Sequence, residues 1–318
     1  MIKNTDKILI TGSSGYIGGA LSVYLKMLGY EIHGVDLKYK KYLSKYFETF
    51  TRADYVDIPL LDNFKYIIHC AGSSLVEPST VNPSEYYDNN VRKTIEFLNK
   101  VVDKCPCAKL IFSSSGSVYE SKENSLDERS TLEPKSPYSK TKFIIEEIIK
   151  DYNNAYDLDY IIFRYFNACG ALNEDHGQDS NATHIFSKLF NSNTFKLFGT
   201  DYDTRDGTCV RDYVSILDLC KAHVAAIESK YNGTYNIGND YPGYSNKQII
   251  DLYKEKVNPN LKVINEDRRK GDVPILIANT NKIKKELGWQ PKDNLNNIIY
   301  SLNKWYNSDT YMELKKDG

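Results

Sequence analysis

The chain has 318 residues, of which 41% are hydrophobic and 26% charged, and its 41 basic and 42 acidic side chains give a net charge of −1 at pH 7. This length suits one large α/β domain or two closely joined ones. The balanced charge gives no reason to expect nucleic acid or an anionic membrane as a partner. No apolar run approaches the ~20 residues that cross a bilayer, and the first residues lack the apolar block of a signal peptide. We therefore expect a soluble, cytoplasmic protein.

Six cysteines and five histidines are available for disulfide or metal sites. Only Cys105 and Cys107 lie close together in the sequence, and a structural zinc site needs a second such pair. The histidines show no metal-binding spacing. We therefore expect reduced, mostly buried thiols and no metal ion.

The first predicted element is a short buried strand, Lys7–Thr11, which runs directly into a glycine-rich turn and then into a helix over 20–28. In such a turn one glycine permits the tight bend, one lets the backbone approach a pyrophosphate, and one lets the helix pack closely on the strand. The phosphates then lie at a helix N-terminus, where free N–H groups favour anions. The candidate dinucleotide-binding residues of this turn are Gly12, Gly15, Tyr16, Ile17 and Gly18.

The second predicted strand, Glu31–Asp36, ends on a carboxylate 18 positions after Gly18. An acidic side chain at this place accepts hydrogen bonds from a ribose diol and repels a 2′-phosphate. The sequence therefore favours NAD over NADP. Lys38 lies close enough to Asp36 to leave NADP open as an alternative.

Two further strands are predicted over 55–58 and 65–70. In the first, Asp57 and Ile58 are candidate contacts for the adenine, although an exposed Asp at a strand end is equally ordinary. The second ends in small residues, which let a flat cofactor lie against the backbone. The candidate cofactor contacts there are Cys70, Ala71 and Gly72.

A helix is predicted over 83–104, and two adjacent asparagines lie within it, the first of them Asn89. Because Asn is a mediocre residue for a helix interior, the pair indicates a cofactor or backbone contact, with simple surface placement as the alternative. The next strand, over 110–115, ends in three hydroxyls, of which Ser115 is the last.

Tyr138 and Lys142 are the candidate catalytic pair. Ser136 followed by Pro137 predicts the start of a helix, since Ser favours the cap and Pro the first helical position. Residues four apart lie on one side of a helix. A Lys ammonium there would stabilise a Tyr phenolate and lower its pKa towards neutrality. Two other Tyr–Lys pairs in this chain have the same spacing, and a solvated helix face is the ordinary explanation for such a pair.

Alternating strands and helices indicate a parallel, doubly wound sheet. In such sheets ligands bind outside the carboxyl ends of the strands. The features that would gather along that edge are the glycine turn, Asp36, residues 70–72, Ser115 and Tyr138. Their convergence strengthens the assignment of the Tyr–Lys pair.

Motifs along nearly the whole chain together resemble the extended short-chain dehydrogenase/reductase family, and within it the UDP-glucose 4-epimerases. The motifs of the first half are Thr11-Gly-x-x-Gly-x-x-Gly18, His69-x-Ala-Gly72, Tyr86-Tyr-Asp-Asn-Asn-Val91, Phe112-Ser-Ser-Ser115 and Ser136-Pro-Tyr-x-Lys-x-Lys142. Those of the second half include Arg164-Tyr-Phe-Asn167, Asp206-Gly-Thr-x-Val-Arg-Asp-Tyr213, Tyr235-Asn-Ile-Gly238 and Leu287-Gly-Trp289.

The resemblance implies a fold and an assembly. The expected architecture is α/β, a doubly wound parallel (Rossmann) sheet with a smaller, interleaved C-terminal α/β domain. We expect residues 1–166 to bind NAD, with 212–237 returning to that domain, and the remainder of 167–318 to bind a nucleotide sugar. A homodimer is expected from the family.

The resemblance also implies a reaction. NAD stays tightly bound, and Tyr138, ionised with help from Lys142 and the positive nicotinamide, takes the proton from the 4-hydroxyl of a UDP-sugar. Ser115 hydrogen-bonds that oxygen and relays the proton, while a hydride leaves C4 for the nicotinamide. The 4-keto sugar then presents its other face and takes the hydride back, which converts UDP-glucose and UDP-galactose into each other.

Further contacts follow from the same family positions. Cofactor contacts are implied for Ser74, Asn89 and Phe166. Arg211 and Arg269 are forked cations suited to a diphosphate, and the edge of a strand over 196–198 suits a planar uracil. Ser74 and Leu276 shape the sugar pocket, and their modest size leaves N-acetylated sugars open as substrates. The implied substrate contacts are Ser74, Ser115, Tyr165, Asn167, His184, Lys196, Leu197, Phe198, Arg211, Arg269, Asp272 and Leu276.

Four alternatives remain from the sequence. A nucleotide-sugar 4,6-dehydratase needs an acid/base pair beside the catalytic hydroxyl, whereas Ser115 is followed here by Gly116 and Ser117. A net 4-reductase would release its NAD(P)H in each turnover, and only kinetics can separate it from an epimerase. A non-catalytic module that senses NAD would have no need of the Ser115, Tyr138 and Lys142 set. An epimerase acting on an N-acetylhexosamine or a pentose also remains open.

Overall fold

The computed structural model describes residues 6–59, 64–120, 125–172, 174–179, 182–240, 242–269 and 272–317. The strands of these residues are, in chain order, β1 (Lys7–Thr11), β2 (Glu31–Asp36), β3 (Thr49–Arg52), β4 (Tyr66–His69), β5 (Lys109–Ser115), β6 (Tyr160–Tyr165), β7 (Asn167–Cys169), β8 (Thr194–Phe198), β9 (Val210–Arg211), β10 (Tyr213–Ser215), β11 (Gly233–Ile237), β12 (Tyr244–Ser245), β13 (Lys262–Glu266) and β14 (Ile275–Leu276).

The α-helices of the described residues are α1 (Tyr16–Met27), α2 (Val76–Val81), α3 (Pro83–Tyr86), α4 (Lys93–Lys104), α5 (Pro137–Tyr156), α6 (Ile185–Phe190), α7 (Ile216–Glu228), α8 (Asn246–Lys256), α9 (Asn281–Leu287), α10 (Leu295–Tyr306) and α11 (Asp309–Asp317). A π-helical segment, Tyr87–Arg92, joins α3 to α4. None of the helices within the described ranges has the length and apolar character that a bilayer span requires.

The central sheet has seven parallel strands in the order β3-β2-β1-β4-β5-β6-β11. Successive β1 side chains enter opposite cores: Ile8 and Ile10 pack on one face of the sheet and Leu9 on the other. Strands buried on both faces need helices on both sides, which the α-helices supply. The predicted doubly wound parallel sheet is therefore confirmed.

The strand order reverses between β1 and β4, and this reversal creates a crevice at the carboxyl ends of these two strands. The glycine turn follows β1, and Cys70 to Gly72 follow β4. A ligand between these two segments would contact backbone from both halves of the sheet.

The second half of the chain builds smaller sheets beside the large one. These are β10 paired with β7, β9 between β12 and β14, and β8 paired with β13. Their core includes Phe186 on α6 and Trp305 on α10, both fully buried. β11 (Gly233–Ile237) is part of the large sheet, where it pairs with β6.

The third strand differs from its prediction. We expected it over 55–58, but β3 covers Thr49–Arg52 and the predicted segment forms turns. β3 pairs with β2 in parallel, Asp36 opposite Arg52, so β3 ends at the same sheet edge as β2. The residues that follow β3 at this edge are therefore those around Asp54. Asp57 and Ile58 come later in the sequence.

Candidate active site

A cavity of about 400 Å³ lies along the carboxyl ends of the central strands. It brings together the glycine turn, the end of β2, the end of β4, the start of α5 and the end of β6. The predicted residues that line it are Gly12, Gly15, Tyr16, Ile17, Gly18, Asp36, Cys70, Ala71, Gly72, Ser74, Asn89, Tyr138, Lys142 and Tyr165.

The glycine turn is shaped by close backbone contacts. Gly12 has a φ of +69°, and its backbone N–H donates to Val35 O at 2.8 Å, which ties the turn to β2. A Cβ on Gly18 would lie 2.1 Å from Gly12 O. A larger residue at position 18 would therefore force the first turn of α1 away from β1.

Asp36 is held rigidly at the end of β2. One carboxylate oxygen accepts the backbone N–H of Ser14 at 3.0 Å and the other that of Lys38 at 2.9 Å. Both donors are backbone groups, so the carboxylate stays fixed beside the glycine turn. A fixed negative charge in this place accepts hydrogen bonds from a ribose diol and opposes a 2′-phosphate.

Asn89 lies at the cavity and Asn90 contacts backbone, and both kinds of contact were allowed by the sequence. Asn89 lines the cavity and donates from Nδ2 to Ser73 Oγ at 3.0 Å. Asn90 is buried; its Nδ2 donates to Ser73 O at 2.9 Å and to Thr141 Oγ1 at 3.0 Å. Asn90 therefore ties the segment after β4 to the helix that carries Tyr138.

The helix α5 begins as its sequence predicts. Ser136 caps it, accepting the Ser139 N–H at 3.1 Å, and the Ser139 hydroxyl in turn accepts the Ser136 N–H at 3.0 Å. Pro137 occupies the first helical position. This cap places Tyr138 in the first turn and Lys142 one turn later, both at the wall of the cavity.

Lys142 faces the end of β5. Its Nζ donates to Ser113 O at 2.8 Å, and the ammonium lies 4.8 Å from the centre of the Phe112 ring. Burial lowers the pKa of Lys142 to about 8, while Cys70 and Glu146 oppose that shift.

The pKa of Tyr138 corrects one expectation. Burial raises it above the ordinary value of a phenol, and Tyr86 adds to that rise, while a hydrogen bond with Ser115 opposes it. The expected lowering by Lys142 towards neutrality is therefore wrong for the protein's own groups, because desolvation of the phenolate dominates. A further positive charge in the cavity would be needed to make Tyr138 a base at neutral pH.

A buried ion pair supports this region from behind. Arg164 on β6 donates to Glu146 on α5 from Nε at 3.0 Å and from Nη2 at 2.6 Å. The Ser114 hydroxyl also donates to Glu146. Because Glu146 lies one turn after Lys142, the pair fixes α5 against the strands that end in the serines.

Three predicted cofactor residues lie outside the lining of the cavity. Asp57 is an exposed turn residue, and Ile58 is buried in a core cluster. Asp54 and Tyr55 line the cavity in their place, because β3 ends at Arg52. The third, Phe166, packs beside Gly116, where a Cβ would lie 3.1 Å from its ring.

Tyr165, for which the resemblance implied a contact with the substrate, lines the cavity together with Tyr138, the glycine turn and Asp36. It belongs to the central sheet as the last residue of β6. Ser115 ends the neighbouring strand and contacts Tyr138 from there.

A second cavity, of about 360 Å³, lies in the other half of the molecule. Lys196, Phe198 and Arg269 line it, and the Arg269 guanidinium lies 3.7 Å from the centre of the Phe198 ring. Lys188, which the sequence did not single out, lines it as well. The Leu197 side chain alternates to the opposite face and packs in the core.

The remaining predicted substrate residues lie around β7, β9 and α6. Arg211 pairs with Leu276 across β9 and β14, donates to Val273 O at 2.7 Å and lies 3.8 Å from Asp272. Asn167 donates from Nδ2 to Asp212 O at 2.8 Å. His184 precedes α6, and burial lowers its pKa to about 4.

A comparison with protein families identifies the chain. The model described as the NAD dependent epimerase/dehydratase family matches residues 8–238. The chain belongs to this family. Its matched part contains the glycine turn, Asp36, Ser115 and the Tyr138–Lys142 pair.

Relatives of this family member cover nearly its whole length. A UDP-glucose 4-epimerase of Halalkalibacterium halodurans is 34% identical over 304 residues, 90% of each chain. A crystal structure of the UDP-glucose 4-epimerase of Bifidobacterium longum in complex with NAD⁺ and UDP has a TM-score of 0.85 and 29% identity, and the match covers 96% of this chain and 99% of that one. The enzyme of Stenotrophomonas maltophila, crystallised with NAD and formylated UDP-arabinopyranose, has a TM-score of 0.89 and 25% identity over 98% and 100% of the chains.

The described residues of this family member contain no group of three or more His, Cys, Asp or Glu side chains able to bind a metal ion. All six thiols are free. The charged and polar side chains that line the cavity include those of Asp36, Asp54, Asn89, Tyr138 and Lys142.

Proposed function

We propose that this chain is an NAD-dependent UDP-sugar 4-epimerase that interconverts UDP-glucose and UDP-galactose through a transient 4-keto sugar. One observation carries the proposal: the Tyr138–Lys142 pair lines the same cavity as the glycine turn and Asp36. A dinucleotide held by that turn at its phosphates and by that carboxylate at a ribose would extend along this cavity, whose lining also includes Tyr138. The family membership and the named relatives support the same activity.

The cavity residues suit NAD. Backbone of the glycine turn at the start of α1 favours the pyrophosphate, and Asp36, fixed by Ser14 and Lys38, favours an unphosphorylated ribose. When bound, NAD would supply a hydride acceptor and the positive charge of its nicotinamide ring. We propose that it stays tightly bound, because a 4-epimerase returns the hydride in every cycle.

The protein's own residues supply the proton transfer. Tyr138 acts as the phenolate: its oxygen takes the proton of the sugar 4-hydroxyl and gives it back when the 4-keto sugar is reduced. Ser115, hydrogen-bonded to Tyr138, orients that oxygen. Lys142 is held by Ser113 O close to the cavity wall and opposes the build-up of negative charge there. General acid–base assistance of this kind contributes about 10²–10⁴-fold in rate.

The nucleotide part of the substrate is proposed to occupy the second half of the molecule. Arg269 offers its guanidinium to a phosphate, and the Phe198 ring on which it stacks offers an aromatic face to a base. Arg211 supplies a second guanidinium. The other proposed substrate contacts are Ser74, Ser115, Asn167, His184, Lys196, Leu197, Asp272 and Leu276, while Tyr165 is reassigned to the cofactor.

The dehydratase alternative receives no support from the loop after Ser115. Elimination needs a carboxylate beside the catalytic hydroxyl. Gly116 occupies that place, and any Cβ there would press on the Phe166 ring. An acidic side chain at this position would require Phe166 to move.

Assembly, location and domain limits belong to the proposal too. We propose a cytoplasmic homodimer, supported by six free thiols, which suit a reducing compartment, and by exposed apolar side chains such as Tyr156 on α5. We also propose that 1–166 and 212–237 form the NAD-binding domain, and β11 pairs with β6 in accordance with this. Light scattering would report the mass of the assembly.

The test is to incubate the purified protein separately with UDP-glucose, UDP-galactose and the N-acetylated pair, without added NAD, and to analyse the sugars by chromatography. Interconversion of UDP-glucose and UDP-galactose is expected. Conversion of the N-acetylated pair alone would change the substrate, and a requirement for NADH in each turnover would indicate a reductase. No conversion of any sugar by protein that carries NAD would contradict the proposal.

A further inference from the structure

A chain of hydrogen bonds connects the cavity to a histidine outside its lining. Tyr165 lines the cavity together with Ser113 and Lys142. Its hydroxyl oxygen lies 3.1 Å from Ser113 Oγ and 2.9 Å from His223 Nε2. His223 belongs to α7 and is fully buried.

The second ring nitrogen of His223 decides the direction of this chain. Nδ1 lies 2.9 Å from Leu219 O. A carbonyl oxygen only accepts hydrogen bonds, so Nδ1 must carry the proton of the ring. Burial lowers the pKa of His223 to about 4, which keeps the ring neutral near pH 7. Nε2 is then a bare acceptor, and the Tyr165 hydroxyl is the donor between the two.

A phenol has a single proton, and Tyr165 directs it at His223. On its other side the oxygen can therefore only accept: Ser113 Oγ, 3.1 Å away, is placed to donate to it, and a second lone pair remains for a donor in the cavity. The His223 ring is held edge-on to Phe163 with ring centres 4.9 Å apart, and its centre lies 5.9 Å from that of Tyr165. Packing thus prevents the imidazole from turning away.

We propose that His223 is a positioning residue that fixes Tyr165 as a hydrogen-bond acceptor at the reacting end of the cavity, and that this acceptor selects a ring bearing a carboxamide over one bearing a carboxylate. A carboxamide offers N–H donors, whereas a carboxylate only accepts. The inference rests on the proposed function, because it takes NAD as the occupant of the cavity. It concerns the polarity of the site and assigns no chemical step to His223.

The test compares the binding of NAD with that of nicotinic acid adenine dinucleotide, which differs only in carrying the carboxylate. Calorimetry on protein freed of co-purified nucleotide gives both dissociation constants for the wild type, His223→Phe, Tyr165→Phe and the double variant. We expect the wild type to prefer NAD by about tenfold or more, the worth of one good hydrogen bond. His223→Phe frees the Tyr165 proton and should reduce this preference about tenfold.

The double variant separates positioning from a general structural effect. If His223 acts through Tyr165, then adding His223→Phe to Tyr165→Phe leaves the preference ratio unchanged. The inference would be overturned if His223→Phe kept the wild-type preference for NAD over nicotinic acid adenine dinucleotide. It would also be overturned if His223→Phe reduced that preference equally in the wild-type and Tyr165→Phe proteins. A wild type that binds neither dinucleotide would overturn the proposed function itself, and the two failures are therefore distinct.

Two more variants serve as an alternative and as a control. His223→Gln places an amide near the Nε2 position that can offer either oxygen or N–H, so it should give an intermediate ratio even if His223→Phe does not fold. Tyr235→Phe removes the hydroxyl that donates to Glu286, from a ring whose centre is 6.5 Å from that of Phe163. Tyr235→Phe leaves the hydrogen bonds between Ser113, Tyr165 and His223 intact and should keep the wild-type ratio of the two dissociation constants. A changed ratio in this variant would count against the inference.

Discussion

Lys142 donates its hydrogen bond to the carbonyl oxygen of Ser113, 2.8 Å away, and thereby connects α5 to the strand that ends in Ser115. The contact explains how a buried ammonium is tolerated, since a backbone carbonyl and the Phe112 ring face together replace part of its hydration. It also fixes the spacing between the start of α5 and the end of β5. Tyr138 and Ser115, carried by these two elements, are held together as a result.

Tyr138→Phe should abolish turnover while NAD stays bound. The variant keeps the ring and its packing but loses the only group of that side chain that can exchange a proton. We expect kcat to fall by at least about 10²-fold, with an unchanged nucleotide content after denaturation, measured by absorbance. Tyr152 lies on the same helix as Tyr138, and its hydroxyl donates to Asn99 of α4, so Tyr152→Phe is the matched control. An active Tyr138→Phe protein would remove Tyr138 from the mechanism.

Lys142 should impose an upper pH limit on the reaction. Its pKa is lowered to about 8 by burial, so the ammonium is lost as the pH rises through that value. We expect kcat to decline above pH 8 in the wild type, and we expect Lys142→Met to be slower at every pH without that decline. Lys140→Met, an exposed lysine on the same helix, should retain the wild-type profile. The same decline in Lys142→Met would assign it to another group.

Much of this site followed from the sequence because local signals coincide with the topology. A glycine turn after a strand, an acidic residue ending the next strand, and a capped helix at Ser136 each follow from local residue preferences. Parallel strands then bring their carboxyl ends to one edge. None of these inferences required knowledge of distant contacts.

The failures have physical causes as well. β3 is short and exposed, so Thr49–Arg52 lacks the apolar run that marks the neighbouring strands. The segment around Tyr55 has the more strand-like sequence, but its apolar side chains are buried by tertiary contacts outside the sheet. Tyr165 and His223 are 58 residues apart, and no local pattern indicates their hydrogen bond. The pKa of Tyr138 depends on burial, which helix spacing does not determine.

The Arg164–Glu146 pair should be a major contributor to stability. Its side chains are 2% and 0% exposed, so replacing either one leaves an uncompensated charge in the interior. We expect Arg164→Met to cost about 3–5 kcal/mol of unfolding free energy, measured by urea denaturation. Lys150→Met, which breaks the exposed pair with Glu147, should cost under about 0.5 kcal/mol. Equal losses in the two variants would contradict the buried pair's role.

Gly18→Ala should prevent dinucleotide binding. The added Cβ would lie 2.1 Å from Gly12 O, and a backbone atom cannot yield as a flexible side chain does. Gly15→Ala meets the same oxygen at 3.1 Å and should weaken binding far less. Calorimetric titration with NAD measures both effects, and equal affinities for the two variants would show that the turn accommodates the methyl group.

Acid should unfold the protein through its buried histidines. Burial lowers the pKa of His69 to about 3 and those of His176, His184 and His223 to about 4, whereas an unfolded histidine titrates near 6.5. The folded pKa is depressed, so their stabilising effect is complete above about pH 6.5 and is lost as the pH falls towards 4.

One carboxyl group opposes this trend. Burial raises the pKa of Asp212 to about 7, so the folded protein holds a proton there that the unfolded chain releases above about pH 4. For these five groups alone, four protons taken up by histidines and one released by Asp212 leave a net uptake of about three on unfolding near pH 5. The unfolding free energy should therefore fall by about 4 kcal/mol per pH unit in that region, at about 1.4 kcal/mol for each proton.

Urea denaturation at pH 7, 6 and 5 measures this slope, and calorimetry in buffers of different ionisation enthalpy counts the protons directly. His223→Gln removes one of the four groups and should lower the uptake by one proton, because glutamine does not titrate. Stability that stays level from pH 7 to 5 would show that the buried rings gain protons without unfolding, and would contradict the neutral imidazole on which the Tyr165 hydrogen bond depends.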